Sequence, residues 1–130
     1  MTNKEFIDFA NELSGFNKLN GIKLVELGDD YCVVEGALRK EAMNPWDMAH
    51  GGFVYALCDV ASGALVSNSG CKGVTLSSSM HFMRQSKGSM LRAEGRIIKR
   101  GKNVSVIESV VYDDSGSMTA KGTFEIFALR

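Results

Sequence analysis

Between Asn44 and Asp59 a polar loop runs straight into an apolar segment, and several of its residues could do chemistry together. His50-Gly51-Gly52 precedes a run from Phe53 to Val66 that is apolar or small on nearly every side, the pattern of a buried helix. The first turn of such a helix has backbone N–H groups without intrahelical partners and the positive end of the macrodipole, and glycine lets a ligand approach that backbone. It is a ready site for an oxygen that develops negative charge. Two adjacent glycines alone would read as a tight turn and close helix packing. Asn44 upstream, His50 beside the glycines and Asp59 nine residues beyond His50 change that reading. An ionised carboxylate within an apolar helix is costly unless it is paired, hydrogen-bonded or used. Gly51 and Asp59 are eight residues apart, which is roughly 12 Å along one helix. A single reacting carbon cannot touch both from one chain. If both act on one substrate, Asp59 must come from a second chain whose helix runs antiparallel to the first.

The elements that would hold these residues follow from periodicity. Thr2 or Asn3 can cap a leading helix over residues 1–15, with Phe6, Phe9, Ala10 and Leu13 on one face and Gly15 as its stop. Residues 22–27 and 31–38 read as a hairpin turning through Gly28-Asp29-Asp30. The central helix spans 50–68. Residues 74–83 then alternate, placing Thr75, Ser77, Ser79 and His81 on one face and Val74, Leu76, Met80 and Phe82 on the other. Strands over 90–99, 103–112 and 118–127 follow, joined by Arg100-Gly101-Lys102 and Asp113-Asp114-Ser115-Gly116, and imply an antiparallel meander. Six strands, a leading helix and one long apolar helix define an α+β architecture, a curved antiparallel sheet packed on that helix. The helix is apolar enough to call for a second copy of the chain against it.

Composition bounds the function. With 130 residues, one Pro and 45% apolar side chains, the chain reads as one globular domain over 1–130. Fifteen basic and fifteen acidic side chains cancel, so no whole-molecule field draws it to nucleic acid or an anionic membrane. Charged residues stand where a signal peptide needs its apolar stretch, and the apolar run from Gly51 to Val66 falls short of the roughly 20 residues of a membrane span. Cys32, Cys58 and Cys71 are odd in number and widely spaced, disfavouring a disulfide framework and a metal site; the expectation is a cytoplasmic protein with no metal. Cys58 could be proposed as a nucleophile, but neither His50 nor His81 is a clear partner, and it reads as a small core residue.

Taken in order, Asn44, His50-Gly51-Gly52, Asp59, Gly73-Val74-Thr75, His81-Phe82-Met83-Arg84 and Lys87-Gly88 resemble the hotdog-fold acyl-CoA thioesterases of the PaaI-like branch, over about residues 20 to 128. The resemblance implies a long helix wrapped by an antiparallel sheet, homodimers with antiparallel helices, and dimers paired again into homotetramers. It implies that the Gly51 N–H polarises a thioester carbonyl and that Asp59 of the partner chain is nucleophile or general base. Thr75 would help place water or the carboxylate, Asn44 would contact the same centre, and His50 would orient the Gly51 loop or transfer protons. The substrate would be a small-molecule acyl thioester, with coenzyme A as part of the substrate and no separate cofactor. The chemistry is consistent, since a thioester needs oxyanion stabilisation and an activated oxygen nucleophile, while thiolate leaves readily.

Two departures from the family pattern stand out. Asp47 occupies the third position after Asn44, where a glycine is usual, and the proline usual after the Phe-x-Arg strand end is missing from Phe82-Met83-Arg84-Gln85-Ser86. Coenzyme A carries phosphates, and Arg84, Lys87, Lys99, Arg100 and Lys102 lie at strand ends or turns from which they could reach them; each taken singly is ordinary solubilising charge. Gly52 allows close approach, and Trp46, Phe53, Tyr55, Met80 and Phe82 could line an acyl pocket, Trp46 being the best placed. Two other readings use the same fold: a non-catalytic acyl-CoA-binding or regulatory module, which would not need Asp59, and an acyl-thioester dehydratase, which would need a His–carboxylate pair at the acyl carbons.

Overall fold

The computed structural model describes all 130 residues. Two short helices, α1 (Asn3–Leu13) and α2 (Gly15–Leu19), lead into β1 (Ile22–Leu27) and β2 (Tyr31–Ala37). A 3-10 turn at Lys40–Ala42 precedes the central helix α3 (Gly51–Ser67). Then come β3 (Lys72–Phe82), β4 (Met90–Lys99), β5 (Val104–Tyr112) and β6 (Met118–Leu129). The strands form one antiparallel sheet in the order β1-β2-β4-β5-β6-β3, so the strand that follows the helix closes the far edge beside β6. This is the α+β hotdog arrangement expected from the sequence.

Alternation builds the sheet's inner face. Along β6, Ala120, Phe124 and Ile126 are buried while Lys121, Thr123 and Glu125 are exposed. Against this face lie Leu57, Cys58, Ala61 and Leu65 of α3, all fully buried. Burial of this kind stabilises the fold by roughly 2 kcal/mol for each large aliphatic side chain. Close approach of helix to sheet requires glycine at Gly36, where a Cβ would lie 2.5 Å from Leu57 Cδ2, and is tight at Gly95, where one would lie 3.3 Å from Ala61 Cβ and Leu65 Cδ1. Ser62 Oγ, a buried hydroxyl on the helix, donates to Cys58 O at 2.8 Å and is therefore satisfied.

Sequence and structure differ in three places. Gly15 does not end a region of helix. Ser14 breaks α1 and at once caps α2, its Oγ accepting from the Asn17 N–H at 3.2 Å. The expected leading helix is thus a pair of helices, and α1 is opened by a capping box between Thr2 and Glu5. Secondly, β3 does not alternate cleanly. A bulge between Thr75 and Ser77 shifts the register against β6 by one residue. Thr75 pairs with Ile126 and therefore shares the inner face with Ser78, Met80 and Phe82, while Ser77, Ser79 and His81 stand on the outer face. The physical reason is that one extra residue reverses the side-chain sense beyond it. Thirdly, most apolar residues of this edge strand are not covered within the chain; Leu76 is 57% and Phe82 55% exposed, and Met80 alone packs against the core.

Candidate active site

His50 is the N-cap of α3, and its Nδ1 accepts from the Gly52 N–H at 2.8 Å. That bond leaves the ring proton on Nε2. Phe53 and Val54 both donate to His50 O, at 3.0 and 3.1 Å. The Gly51 N–H, first in the helix, has no acceptor within the chain. One N–H is thus left free at the positive end of a 17-residue helix, held in place by the capping histidine. Of the two candidate roles for His50, its ring bond to Gly52 serves orientation of the glycine turn.

Asn44 holds the preceding loop. Its Oδ1 accepts from the Trp46 and Met48 N–H groups at 3.0 and 3.1 Å, and its N–H donates to Met48 O at 2.7 Å. The side-chain carbonyl is committed to this turn, leaving Nδ2 as the group able to face a ligand. Within the same turn Asp47 has φ 60°, the only non-glycine residue of the chain with positive φ. The glycine usual at this position is explained by that backbone, which an aspartate can also adopt at some cost. Trp46 is 76% exposed at the tip of the loop and lines neither the cleft beside Asp59 nor the one beside Gly51.

Asp59 lies half-buried on the open stripe of α3, two turns beyond Gly51. Thr75 Oγ1 donates to Asp59 Oδ1 at 2.6 Å. The bulge in β3 makes this contact possible by turning Thr75 toward the helix. One carboxylate oxygen is fixed and the other remains available, either to attack a carbon or to take a proton from water. One helical turn earlier, Tyr55 shares a 2.7 Å hydrogen bond with Ser78 Oγ. This second tie between the helix and β3 is not foreseeable from alternation, because it too depends on the bulge.

Gly51 and Asp59 face different hollows. Asp59 borders a cleft of about 720 Å³ between α3 and the two leading helices. Gly51 borders one of about 370 Å³ lined by Val54, Phe82, Met83 and Arg84. Within one chain, the two chemical groups are not brought together, as their helical separation requires. The basic residues also divide. Arg84 borders the Gly51 cleft and Lys87 follows it in the loop after β3; where the usual proline is missing, the Met83 and Arg84 N–H groups donate to Thr119 O at 2.8 and 3.3 Å. Lys99, Arg100 and Lys102 sit at the β4–β5 turn, where Arg100 donates to Asp29 O at 2.7 Å. Asn68, capping the far end of α3, donates to Gly28 O in the β1–β2 turn at 3.2 Å. The five candidate cations are therefore divided between the two ends of a helix about 25 Å long.

Cys58 and Cys32 are fully buried, and desolvation pushes both thiols up to about 12. Neither is a nucleophile at neutral pH. No three or more His, Cys, Asp or Glu side chains gather where they could hold a metal ion, and no helix is long and apolar enough to cross a membrane.

A six-stranded antiparallel sheet around one helix, with a free glycine N–H at the helix start and a carboxylate at its middle, defines a class of protein. Residues 47–120 match the family model of the thioesterase superfamily, and the chain belongs to that family. Its fold is similar to that of the Escherichia coli PaaI protein from the phenylacetic acid degradation operon, with a TM-score of 0.91 over 98% of this chain and 93% of that one at 18% identity. A Streptococcus mutans protein solved bound to acetyl CoA is 27% identical, with a TM-score of 0.80 over 90% of this chain and 93% of that one. A mutant of the phenylacetic acid degradation protein PaaI from Thermus thermophilus is 26% identical, with a TM-score of 0.82 over 89% of this chain and all (100%) of that one.

Proposed function

We propose that the chain is an acyl-CoA thioesterase that hydrolyses an acyl or aryl-acyl thioester to the free acid and coenzyme A, in sites shared between two copies. One observation carries this reading: Asp59, oriented by Thr75, lies on the open stripe of the same helix whose first N–H, at Gly51, is free and faces another cleft. Gly52 and Gly63 on that stripe carry no side chain and allow a second helix to approach closely. Two helices packed antiparallel would set the Asp59 of one copy opposite the Gly51 of the other and form two equivalent sites.

In such a site the Gly51 N–H donates to the thioester carbonyl oxygen. The unbonded Asp59 oxygen either takes a proton from water as that water attacks the carbonyl carbon, or attacks the carbon itself to form an anhydride that water then opens. The oxyanion is held at the helix start until the C–S bond breaks and coenzyme A leaves as thiolate. Arg84, which borders the Gly51 cleft, and Lys87 of the same loop would meet the phosphates. The antiparallel arrangement also brings the Lys99–Lys102 turn of the other copy toward the same mouth, which reunites the divided cations. The protein solved with acetyl CoA supports coenzyme A as the ligand.

The test is release of free thiol from a panel of short, long and aromatic acyl-CoAs, with solution mass measured on the same sample. Thiol release by a dimer or tetramer is expected. A fully active monomer would contradict the shared site, and enoyl product without thiol would assign the fold to dehydration instead.

A further inference from the structure

The cleft that holds Asp59 has one wall that lies outside the matched family region of residues 47–120. That wall is α1 and α2, which present Phe6, Phe9, Leu13 and Phe16 to the cleft. It is fixed to the sheet, not loosely laid over it. Asn11 Nδ2 donates to Leu24 O at 2.8 Å, the Leu24 N–H donates back to Asn11 Oδ1 at 2.9 Å, and Arg39 Nη2 donates to Leu19 O at 2.7 Å.

One polar side chain interrupts this apolar wall. Asn17 is only 8% exposed, yet its side-chain amide makes no hydrogen bond within the chain; the residue's engaged donor is its backbone N–H, on Ser14 Oγ. No fully enclosed side-chain polar atom of the chain lacks a partner, so the amide is not sealed in the core, and Asn17 lines the cleft that holds Asp59. An amide so nearly buried gains most from a partner that enters with a ligand.

We propose that α1 and α2 are the acyl-specificity wall of the site and that Asn17 is a specificity-determining residue, hydrogen-bonding a polar group carried toward the far end of an otherwise apolar acyl chain. This inference rests on the thioesterase reading, because it takes the acyl group to lie beside Asp59. Asn17 touches the distal end of the substrate and takes no part in the bond changes.

The experiment compares pairs of acyl-CoAs of equal length that differ only by a terminal hydroxyl in place of a methyl, such as 6-hydroxyhexanoyl-CoA against heptanoyl-CoA, extended to shorter and longer pairs. For Asn17→Leu, and for the gentler Asn17→Ala, kcat/KM on the best hydroxylated member should fall about tenfold relative to its methyl partner. The circular dichroism melt should be retained. An unchanged ratio across all pairs, or a parallel loss on both members, would overturn the role of Asn17. The same pairs made as non-hydrolysable CoA thioethers and titrated by calorimetry separate the two claims. A shifted affinity ratio without turnover in the wild type keeps Asn17 and removes the thioesterase. Turnover with an unmoved ratio does the reverse, and neither binding nor turnover removes both.

Discussion

Thr75 Oγ1 lies 2.6 Å from Asp59 Oδ1 and donates to it, so a bulged edge strand fixes the carboxylate of the central helix. The bond holds one oxygen and leaves the other for chemistry. Asp59→Asn keeps the shape and the hydrogen bond from Thr75 but removes the basic oxygen, and should lower kcat on acyl-CoAs by about 10² to 10⁴. Thr75→Ala should cost about tenfold, and Thr75→Ser should restore most of it by returning the hydroxyl. Steady-state thiol release checks the series; an undiminished rate in Asp59→Asn would remove Asp59 from the mechanism.

Gly51 is the first residue of α3, a position at which proline is tolerated because the N–H has no helical partner. His50 before it has φ −64° and ψ 134°, the extended backbone that a following proline requires. A Cβ there meets only the Phe82 ring at 3.8 Å, an ordinary contact. Gly51→Pro therefore keeps the helix while replacing its free N–H by a ring carbon that also crowds the oxyanion position, and kcat should fall by about 10² to 10³ or more. Unfolding and refolding it together with Asp59→Ala gives mixed dimers with one intact site and one doubly defective site. About a quarter of wild-type activity should return if sites are shared across a two-fold axis. No recovery would place both groups in one chain.

The central helix and all six strands can be read from the sequence because their signals are local: an uninterrupted apolar run for α3, alternation for β5 and β6, and turn residues between them. The separation of Gly51 from Asp59 is equally legible, since helical rise alone sets it. What cannot be read depends on contacts distant in sequence. The bulge at Thr75–Ser77 is a property of pairing with β6 some fifty residues later, so alternation groups Thr75 with Ser77 although the two face opposite sides of the sheet. The placement of Arg84 and Lys99 is likewise hidden, because only the strand order puts their two turns at opposite ends of the helix. Asn17 is hidden when Gly15 is read as a stop; Ser14 followed by Phe16 and Leu19 is the available signal for a second capped helix.

Cys32 and Cys58, fully buried and pushed up to about 12 chiefly by desolvation, should be inert to iodoacetamide at pH 8 in the folded protein. Cys71 is less buried and is the one thiol expected to label. Mass spectrometry of the native and the denatured alkylated protein locates the modified residues. Cys58→Ala should retain hydrolysis and lose about 1 kcal/mol of stability through the volume it leaves; a loss of turnover in a folded variant would count against the core assignment.

Asp113 organises the turn that carries the loop beside Gly51. Its Oδ1 accepts from Ser115 Oγ at 2.6 Å, and its Oδ2 accepts from the Lys87 N–H at 2.9 Å. The Ser115 hydroxyl first, then the backbone N–H groups of Lys87, Ser115 and Ser117, lower its pKa from 3.8 to about 2. A carboxylate depressed in the folded state stabilises the fold above its unfolded value and loses that contribution as pH falls through its folded value. The wild type should therefore melt higher than Asp113→Asn at pH 5 to 7, and the difference should shrink between pH 4 and 2. Melting curves across that range check it; a gap that widens with acidity would reverse the sign of the effect.

Asp47 is the residue at which this chain departs most informatively from the family pattern, and its φ of 60° says what the departure costs. A left-handed backbone burdens a residue with a Cβ by about 1 kcal/mol relative to glycine, somewhat less for aspartate, whose short polar side chain tolerates it. The turn itself is kept by Asn44, whose Oδ1 receives the Trp46 and Met48 N–H groups on either side. Asp47→Gly should therefore preserve the turn and raise the melting temperature by about 4 °C. Because Asp47 lines neither the Asp59 cleft nor the Gly51 cleft, kcat/KM on apolar acyl-CoAs should change less than about threefold. Asp47→Ala is the control, since it deletes the carboxylate yet retains the strained Cβ, and it should gain no stability. A large rise in activity shared by Asp47→Gly and Asp47→Ala would show instead that the carboxylate reaches the acyl group from the neighbouring chain.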